Sequence, residues 1–282
     1  MPHRLLGISL ALISMFCFAV TYAFYKACEP FISNGQVLCF ANFFSWIIIL
    51  PFSLKNGVKF LVTERFFMIV LRTLLGIAAI YSISLALKNN SLSEVILLNN
   101  TAPLFFPFIV WLCHRTKIPH SLWIGLTIGF IGVFIILSPG FEEINSGLFI
   151  ALFSGLAAAG MLVAIRQIAH EPFLRILFYY FLIFWVLLTP SLIGGWPSVS
   201  LRIWLLLFLS GASMVGAQVT LTAAMRYATS HQLAPILYTS VIFAGLIDWI
   251  FWNNKPKLIS ILGMVVVCIG GMITMLIKKE NS

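Results

Sequence analysis

ALKNNSLSEVILLNNTAPLFFPFIVWLCHRTKIPHSLWIGLTIGFIGVFIIL (residues 86–137) and AMRYATSHQLAPILYTSVIFAGLIDWIFWNNKPKLISILGMVVVCIGGMIT (residues 224–274) carry one pattern twice. At a shift of 138 residues Ala86 falls on Ala224, Thr101 on Thr239, Phe105 on Phe243 and Trp111 on Trp249. The register continues without a gap, with Lys117 on Lys255, Gly125 on Gly263, Ile131 on Ile269 and Gly132 on Gly270. Further upstream, at a shift of 140, Gly7 pairs with Gly147, Ala11 with Ala151, Ser14 with Ser154 and Ala19 with Ala159. Duplication explains this register better than shared composition.

The repeated unit is built for lipid. Of 282 residues 61% are hydrophobic and 9% charged, and mean hydropathy is +1.06. Ordinary soluble domains hold about 45–50% apolar and about 25% charged residues. Apolar runs of about 20 residues, the length that crosses a hydrocarbon core, recur along the chain. They predict helices over 5–27, 36–54, 66–87, 93–113, 121–137, 147–165, 175–192, 204–224, 233–252 and 258–277. The expected fold is therefore an all-α integral membrane protein of ten transmembrane helices. Its two five-helix repeats are residues 5–137 and 147–277. The first apolar run is read as a span rather than a removable signal.

An odd number of spans per repeat makes the second repeat enter the membrane from the opposite side. Inverted repeats are a transporter architecture, because two such halves can rock about a central site. The charge pattern sets the orientation. With the N-terminus inside, Arg4, Lys55, Lys59, Arg65, Arg115, Lys117, Arg166, Arg175, Arg226, Lys278 and Lys279 face the cytoplasm. Lys26, Lys88, Arg202, Lys255 and Lys257 face outward, with the acidic pair Glu142 and Glu143, and Arg72 lies inside the third span near its cytoplasmic end. Both termini are thus expected in the cytoplasm of an inner-membrane protein.

The net charge of +9 is dispersed in ones and twos between apolar runs, so it orients the chain and does not suggest nucleic acid as a partner. Membrane lipids are the expected surroundings. Five scattered cysteines (Cys17, Cys28, Cys39, Cys113, Cys268) have no metal-site spacing. No HExxH helix, GxSxG elbow or Walker loop is present. The expectation is no enzyme, no cofactor, no metal and no direct use of ATP.

The quoted segments resemble the ends of EamA-type repeats, and the whole chain resembles ten-helix members of the drug/metabolite transporter superfamily. The LAPILYTS stretch, Leu233–Ser240, is similar to the branch that includes S-adenosylmethionine carriers. Many relatives carry an acidic residue in the tight turn after the fourth and ninth spans, where this chain has His114-Arg115 and Asn253-Asn254. The resemblance implies secondary transport of a small polar or amphipathic metabolite by alternating access: an amino acid, S-adenosylmethionine or a similar solute. The alternative is a non-transporting scaffold or receptor-like membrane protein.

Polar residues at membrane depth are the candidate contacts, because they are costly unless they line a cavity or bond within the bundle. Asn99, Asn100 and Thr101 precede Pro103 and Pro107, and Pro103 cannot donate to the Asn99 carbonyl. A kink with free backbone groups suits a polar ligand; equally, the asparagines could satisfy the broken helix or glue its neighbours. The repeat sets Tyr238 opposite Asn100 and Thr239 opposite Thr101. Tyr81, Gln218 and Thr222 are further candidates. Asp248 lies near the outer end of the ninth span, where interfacial placement competes with a coupling role; Glu94 suits a helix N-terminus. Small residues at Ala151, Gly155 and Ala159, at Gly125 and Gly129, and at Ala212 and Gly216 predict close helix approach. The Gly-rich fifth and tenth spans could instead join subunits, which makes a homodimer an option.

Overall fold

The computed structural model describes residues 2–55, 57–115, 120–137, 146–168, 171–193, 195–196, 198–227, 236–254 and 258–277. Those residues form eleven α-helices and two short 3-10 turns, and no strand. The helices are α1 Pro2–Cys28, α2 Asn34–Leu54, α3 Phe66–Ala86, α4 Leu92–Asn99, α5 Ala102–His114 and α6 His120–Leu137. They continue as α7 Ser146–Gln167, α8 Phe173–Leu188, α9 Leu201–Tyr227, α10 Thr239–Trp252 and α11 Leu258–Ile277. Seven segments are long and apolar enough to cross a membrane, and three shorter apolar helices lie at Trp123–Ile135, Thr239–Trp252 and Ile261–Gly270.

Local sequence sets the helix ends. Ser33 caps α2 in a reciprocal box with Gln36, a device that satisfies two otherwise orphaned N–H groups. Ser91 caps α4, accepting from the Glu94 N–H at 3.3 Å while donating to its carboxylate at 2.7 Å. The run expected as one helix to Leu192 ends at Leu188, and Thr189–Leu192 tightens into a 3-10 turn at Pro190. At the opposite ends of the repeat, Arg115 and Asn253 both cap their helices in the left-handed region, at φ 52° and 54°. They are 138 residues apart (253 − 115), the shift of the sequence repeat.

The fourth span, expected as one kinked helix, is two helices. The Asn100 N–H still bonds the Ile96 carbonyl at 2.9 Å, whereas Thr101 tightens to Leu98 at 3.2 Å and α5 starts anew with Pro103 in its first turn. A proline there loses no intrahelical bond. In the second repeat Ile236 and Leu237 are helical, Tyr238 is a turn and α10 begins at Thr239. The matched break therefore forms although Val241 stands where the first repeat has Pro103.

Helices pack in matched pairs: α1 against α9 as α7 against α3, α1 against α10 as α7 against α4 and α5, and α2 on α8, α4 on α10 and α6 on α11. Small residues make these approaches. A Cβ on Gly270 would lie 2.3 Å from the Gly129 nitrogen, and one on Gly132 2.6 Å from the Val267 nitrogen. The Gly faces of α6 and α11 are thus buried against each other within the chain. A Cβ on Gly211 would lie 2.7 Å from the Ala41 carbonyl oxygen, and the Ser45 hydroxyl donates to the Ala41 and Gly211 carbonyls at 2.9 and 3.1 Å. Lys117, Lys255, Lys257, Lys278, Lys279 and the pair Glu142-Glu143 lie outside the described residues.

Candidate functional site

The two helix breaks meet. Across them the Asn100 amide donates to the Ser240 hydroxyl at 2.8 Å and to the Leu237 carbonyl at 3.4 Å. Ser240 itself donates back to Leu237 at 2.7 Å. Asn99 turns to α7, where its carbonyl oxygen accepts from Ser154 at 3.3 Å. Gly155 lets α7 come this close: a Cβ there would sit 2.5 Å from the Thr101 hydroxyl and 2.6 Å from the Leu98 carbonyl. Thr101 and Thr239 donate to the carbonyls three residues earlier, Leu98 and Ile236, each at 2.6 Å. Both residues close their own breaks.

Tyr238 differs. Its hydroxyl is buried with no hydrogen-bond partner among the described residues, and an unsatisfied buried hydroxyl costs on the order of 1–3 kcal/mol. Gln218 and Thr222 share one turn of α9, where Thr222 donates back to the Gln218 carbonyl at 2.9 Å. Tyr81 is displaced from the site expected for it: it continues the exposed stripe of Phe67, Leu71 and Leu74 along α3. The helical period, which the polar side chain alone does not reveal, places it there.

Asp248 is buried within the bundle. It is 1% exposed and pairs with Lys26 of α1 at 2.7 Å. Its second oxygen accepts the Leu92 N–H at 2.7 Å, at the first turn of α4. The Lys26 ammonium also reaches the Asn90 carbonyl (3.4 Å) and lies 5.0 Å from the Trp252 ring centre. One carboxylate thus ties the end of α10 to α1 and to the positive end of the α4 dipole. Sequence reading assigned Lys26 to an outer loop and missed this pairing, since the partners are 222 residues apart.

At the other end of the bundle the segment after α2 is tied to the α7–α8 junction. Thr63 donates to Glu171 at 2.6 Å, Arg175 pairs with Glu171 at 2.5 Å and its Nε donates to the Phe60 carbonyl, and Tyr179 donates to the Leu61 carbonyl at 2.7 Å. Burial alone would raise the Glu171 carboxyl. The hydrogen bonds from Thr63 and Arg175, with the charges of Arg175 and Arg65, hold it below its ordinary value.

Sequence reading also passed over Arg72 as a candidate. It lies on α3, 3% exposed, with its guanidinium 4.5 Å from the Tyr180 ring centre on α8. A single arginine inside an apolar run was the available signal. No group of three or more metal-ligating side chains occurs among the described residues.

The sequence profile of the EamA-like transporter family matches residues 5–138 and again 145–276. The chain belongs to this family. EamA-like proteins sit in the drug/metabolite transporter superfamily, and the named relatives of this one are transporters, not enzymes. The pseudopaline exporter CntI of Pseudomonas aeruginosa is 25% identical over 270 residues, covering 93% of this chain and 94% of its own. Solute carrier family 35 member G1 of Homo sapiens is 28% identical, covering 89% of this chain and 73% of its own. The S-adenosylmethionine uptake transporter of Rickettsia prowazekii is 23% identical, covering 93% and 89%. A solved crystal structure superposes with a TM-score of 0.66 at 17% identity, over 100% of this chain and 99% of the other, a likeness of fold alone. This EamA-like protein is a multi-pass membrane transporter.

Proposed function

We propose that this EamA-like protein is a secondary carrier of a small polar or amphipathic metabolite, an amino acid, S-adenosylmethionine or a similar solute. It works by alternating access between two inverted five-helix repeats, residues 5–137 and 147–277, with ten spans in all and both termini in the cytoplasm of the inner membrane. The observation that carries this reading is the meeting of the two breaks. Irregular backbone at membrane depth is tolerated where protein buries it or where it lines a cavity, and discontinuous helices at a repeat interface are where transporters hold substrate. Asn99, Asn100, Thr101, Tyr238 and Thr239 form the shared site, with Pro103 in the first turn of α5 and Pro107 inside that helix, and Gln218 and Thr222 contribute from α9.

Lys26 with Asp248 closes the outer end in the state described, and the Thr63–Glu171–Arg175 network closes the inner. Asp248 is the candidate for coupling, because its protonation would free Lys26 and the α4 N-terminus together. Relatives named an exporter and an uptake transporter support a small metabolite as cargo.

Reconstituted protein screened for counterflow against amino acids, nucleotides and S-adenosylmethionine tests this. Counterflow of at least one class is expected, with Asn100→Ala and Tyr238→Phe each slowing it in well-expressed protein. A silent screen would remove the carrier reading, and unaffected variants would remove the site.

A further inference from the structure

The most exposed liability inside the bundle is a charge with nothing to balance it. Arg72 begins about 9 Å along α3, by 1.5 Å per residue from Phe66, and is 3% exposed. Its Nε and Nη1 have no hydrogen-bond partner among the described residues. The ion pairs of those residues join Lys26 to Asp248, Lys88 to Glu29 and Arg175 to Glu171, and none reaches Arg72. Its close neighbours are neutral. Tyr180 offers a ring face at 4.5 Å and packs edge-on against Phe181 and Phe184. Tyr22 and Tyr25 of α1 are edge-to-face at 6.0 Å and buried in the same core cluster as Tyr180.

An arginine head group buried without a counter-ion is strongly unfavourable, and a ring face offsets only part of that cost. The fold nonetheless holds it in place. Gly76, one turn further along α3, makes room for Tyr180: a Cβ there would lie 2.9 Å from the ring and 3.5 Å from the sulfur of Met161 on α7. Met161 is six residues beyond Gly155, the residue that touches the first helix break, hence about 9 Å further along α7. Arg72, four residues and about 6 Å nearer the start of α3 than Gly76, therefore lies roughly 15 Å in depth from the break, a distance that an extended solute can span.

We infer that Arg72, backed by the Tyr180 ring, is the receptor for a carboxylate of the transported solute, whose other polar groups reach the helix breaks. The planar fork of a guanidinium matches a carboxylate with two parallel hydrogen bonds. Because the aromatic neighbours bring no negative charge, the site is electroneutral only when its occupant supplies one. The inference rests on the carrier reading for its solute, but anion binding is measurable without transport.

The test is thermal unfolding of the full chain in nanodiscs, with chloride exchanged at constant ionic strength for acetate or for inorganic phosphate, and with acetamide as the neutral isostere of acetate. Acetate should raise Tm by about 2–4 °C near saturation, acetamide should not, and phosphate should do less than acetate. Arg72→Gln should abolish the acetate response and raise Tm without anion, because it removes an uncompensated charge; a purely structural arginine would lower it. Should that variant not fold, Arg72→Lys carries the test, with a reduced acetate response expected. Equal responses to acetate and acetamide, or an acetate response that survives in either variant unchanged, would overturn the proposal. A larger response to phosphate would reassign the site to a phosphoanion such as a lipid headgroup and also overturn it. Acetate protection with a silent counterflow screen would strike the carrier reading alone. Counterflow of a solute without a carboxylate, insensitive to acetate, would strike this site alone.

Discussion

The two ends of this EamA-like protein are tied by opposite means. At the end where α10 finishes, a single carboxylate, 1% exposed, joins three helices through Lys26 and the Leu92 N–H. At the opposite end several partly exposed groups share the work: Glu171 accepts from both Thr63 and Arg175, while Arg65 donates to the Gln167 carbonyl at 2.5 Å. A dry pair is all-or-none, since losing one partner strands the other charge. A wet network loosens by degrees, each exposed pair being worth about 1 kcal/mol or less. The difference leaves the Asp248 end dependent on a single pair and the Glu171 end on several weak contacts.

The largest effect is expected from Asp248→Ala. It leaves Lys26 buried and uncompensated, and should cost about 3–5 kcal/mol in denaturant unfolding of the purified protein. The double variant Lys26→Met, Asp248→Leu should recover most of that loss, because well-packed apolar side chains often replace a buried pair at no cost. A double variant as unstable as the single would show that the tie to the α4 N-terminus, rather than the ion pair, holds the Asp248 end.

Next in size, Glu171→Gln should cost about 1 kcal/mol or less, seen mainly as faster amide exchange over residues 57–65. High salt should speed that exchange while leaving residues around Leu92 protected, because screening at about 3 Å in 1 M salt reaches exposed charges first.

Acidification separates the ends further. The folded-state pKa of Glu171 is depressed, so its contribution is complete above the unfolded glutamate value of about 4.3 and is lost as pH falls through the lower folded value. Amide exchange across 57–65 should therefore rise only below about pH 4.3. A rise near neutral pH would mean that another group governs the Glu171 end.

The smallest effect contrasts the matched left-handed caps, Arg115 on the first repeat and Asn253 on the second. Asparagine tolerates that backbone better than arginine. Arg115→Asn should stabilise by about 0.5–1 kcal/mol, while Asn253→Arg should lose a similar amount.

Much of this was legible from one sequence. The register that carries Thr101 onto Thr239 also carries one helix break and one left-handed cap onto the other, because repeated sequence repeats its backbone. Pro103 announced the first break, since a missing N–H is a covalent fact. The second break, without a matching proline, was legible only through the repeat. Gly155 and the glycines of α6 and α11 announced close packing, but not against which surface.

The site was less legible. The asparagines stood out as polar groups in an apolar run, yet one-dimensional spacing does not tell which helix each side chain reaches. Tyr81 lies on an exposed face of α3, because a polar side chain on a helix can face outward. Asp248 and Arg72 looked like charges near span ends because the sequence supplies depth but not azimuth.

Composition and periodicity thus determined the membrane, the helices and their duplication, since those follow from solvent and from contacts along the chain. Which charge meets which, Lys26 with Asp248 and Arg72 with the Tyr180 ring, was decided by the tertiary structure. Those pairings join residues more than a hundred positions apart, and only the packing of one repeat against the other brings them within reach.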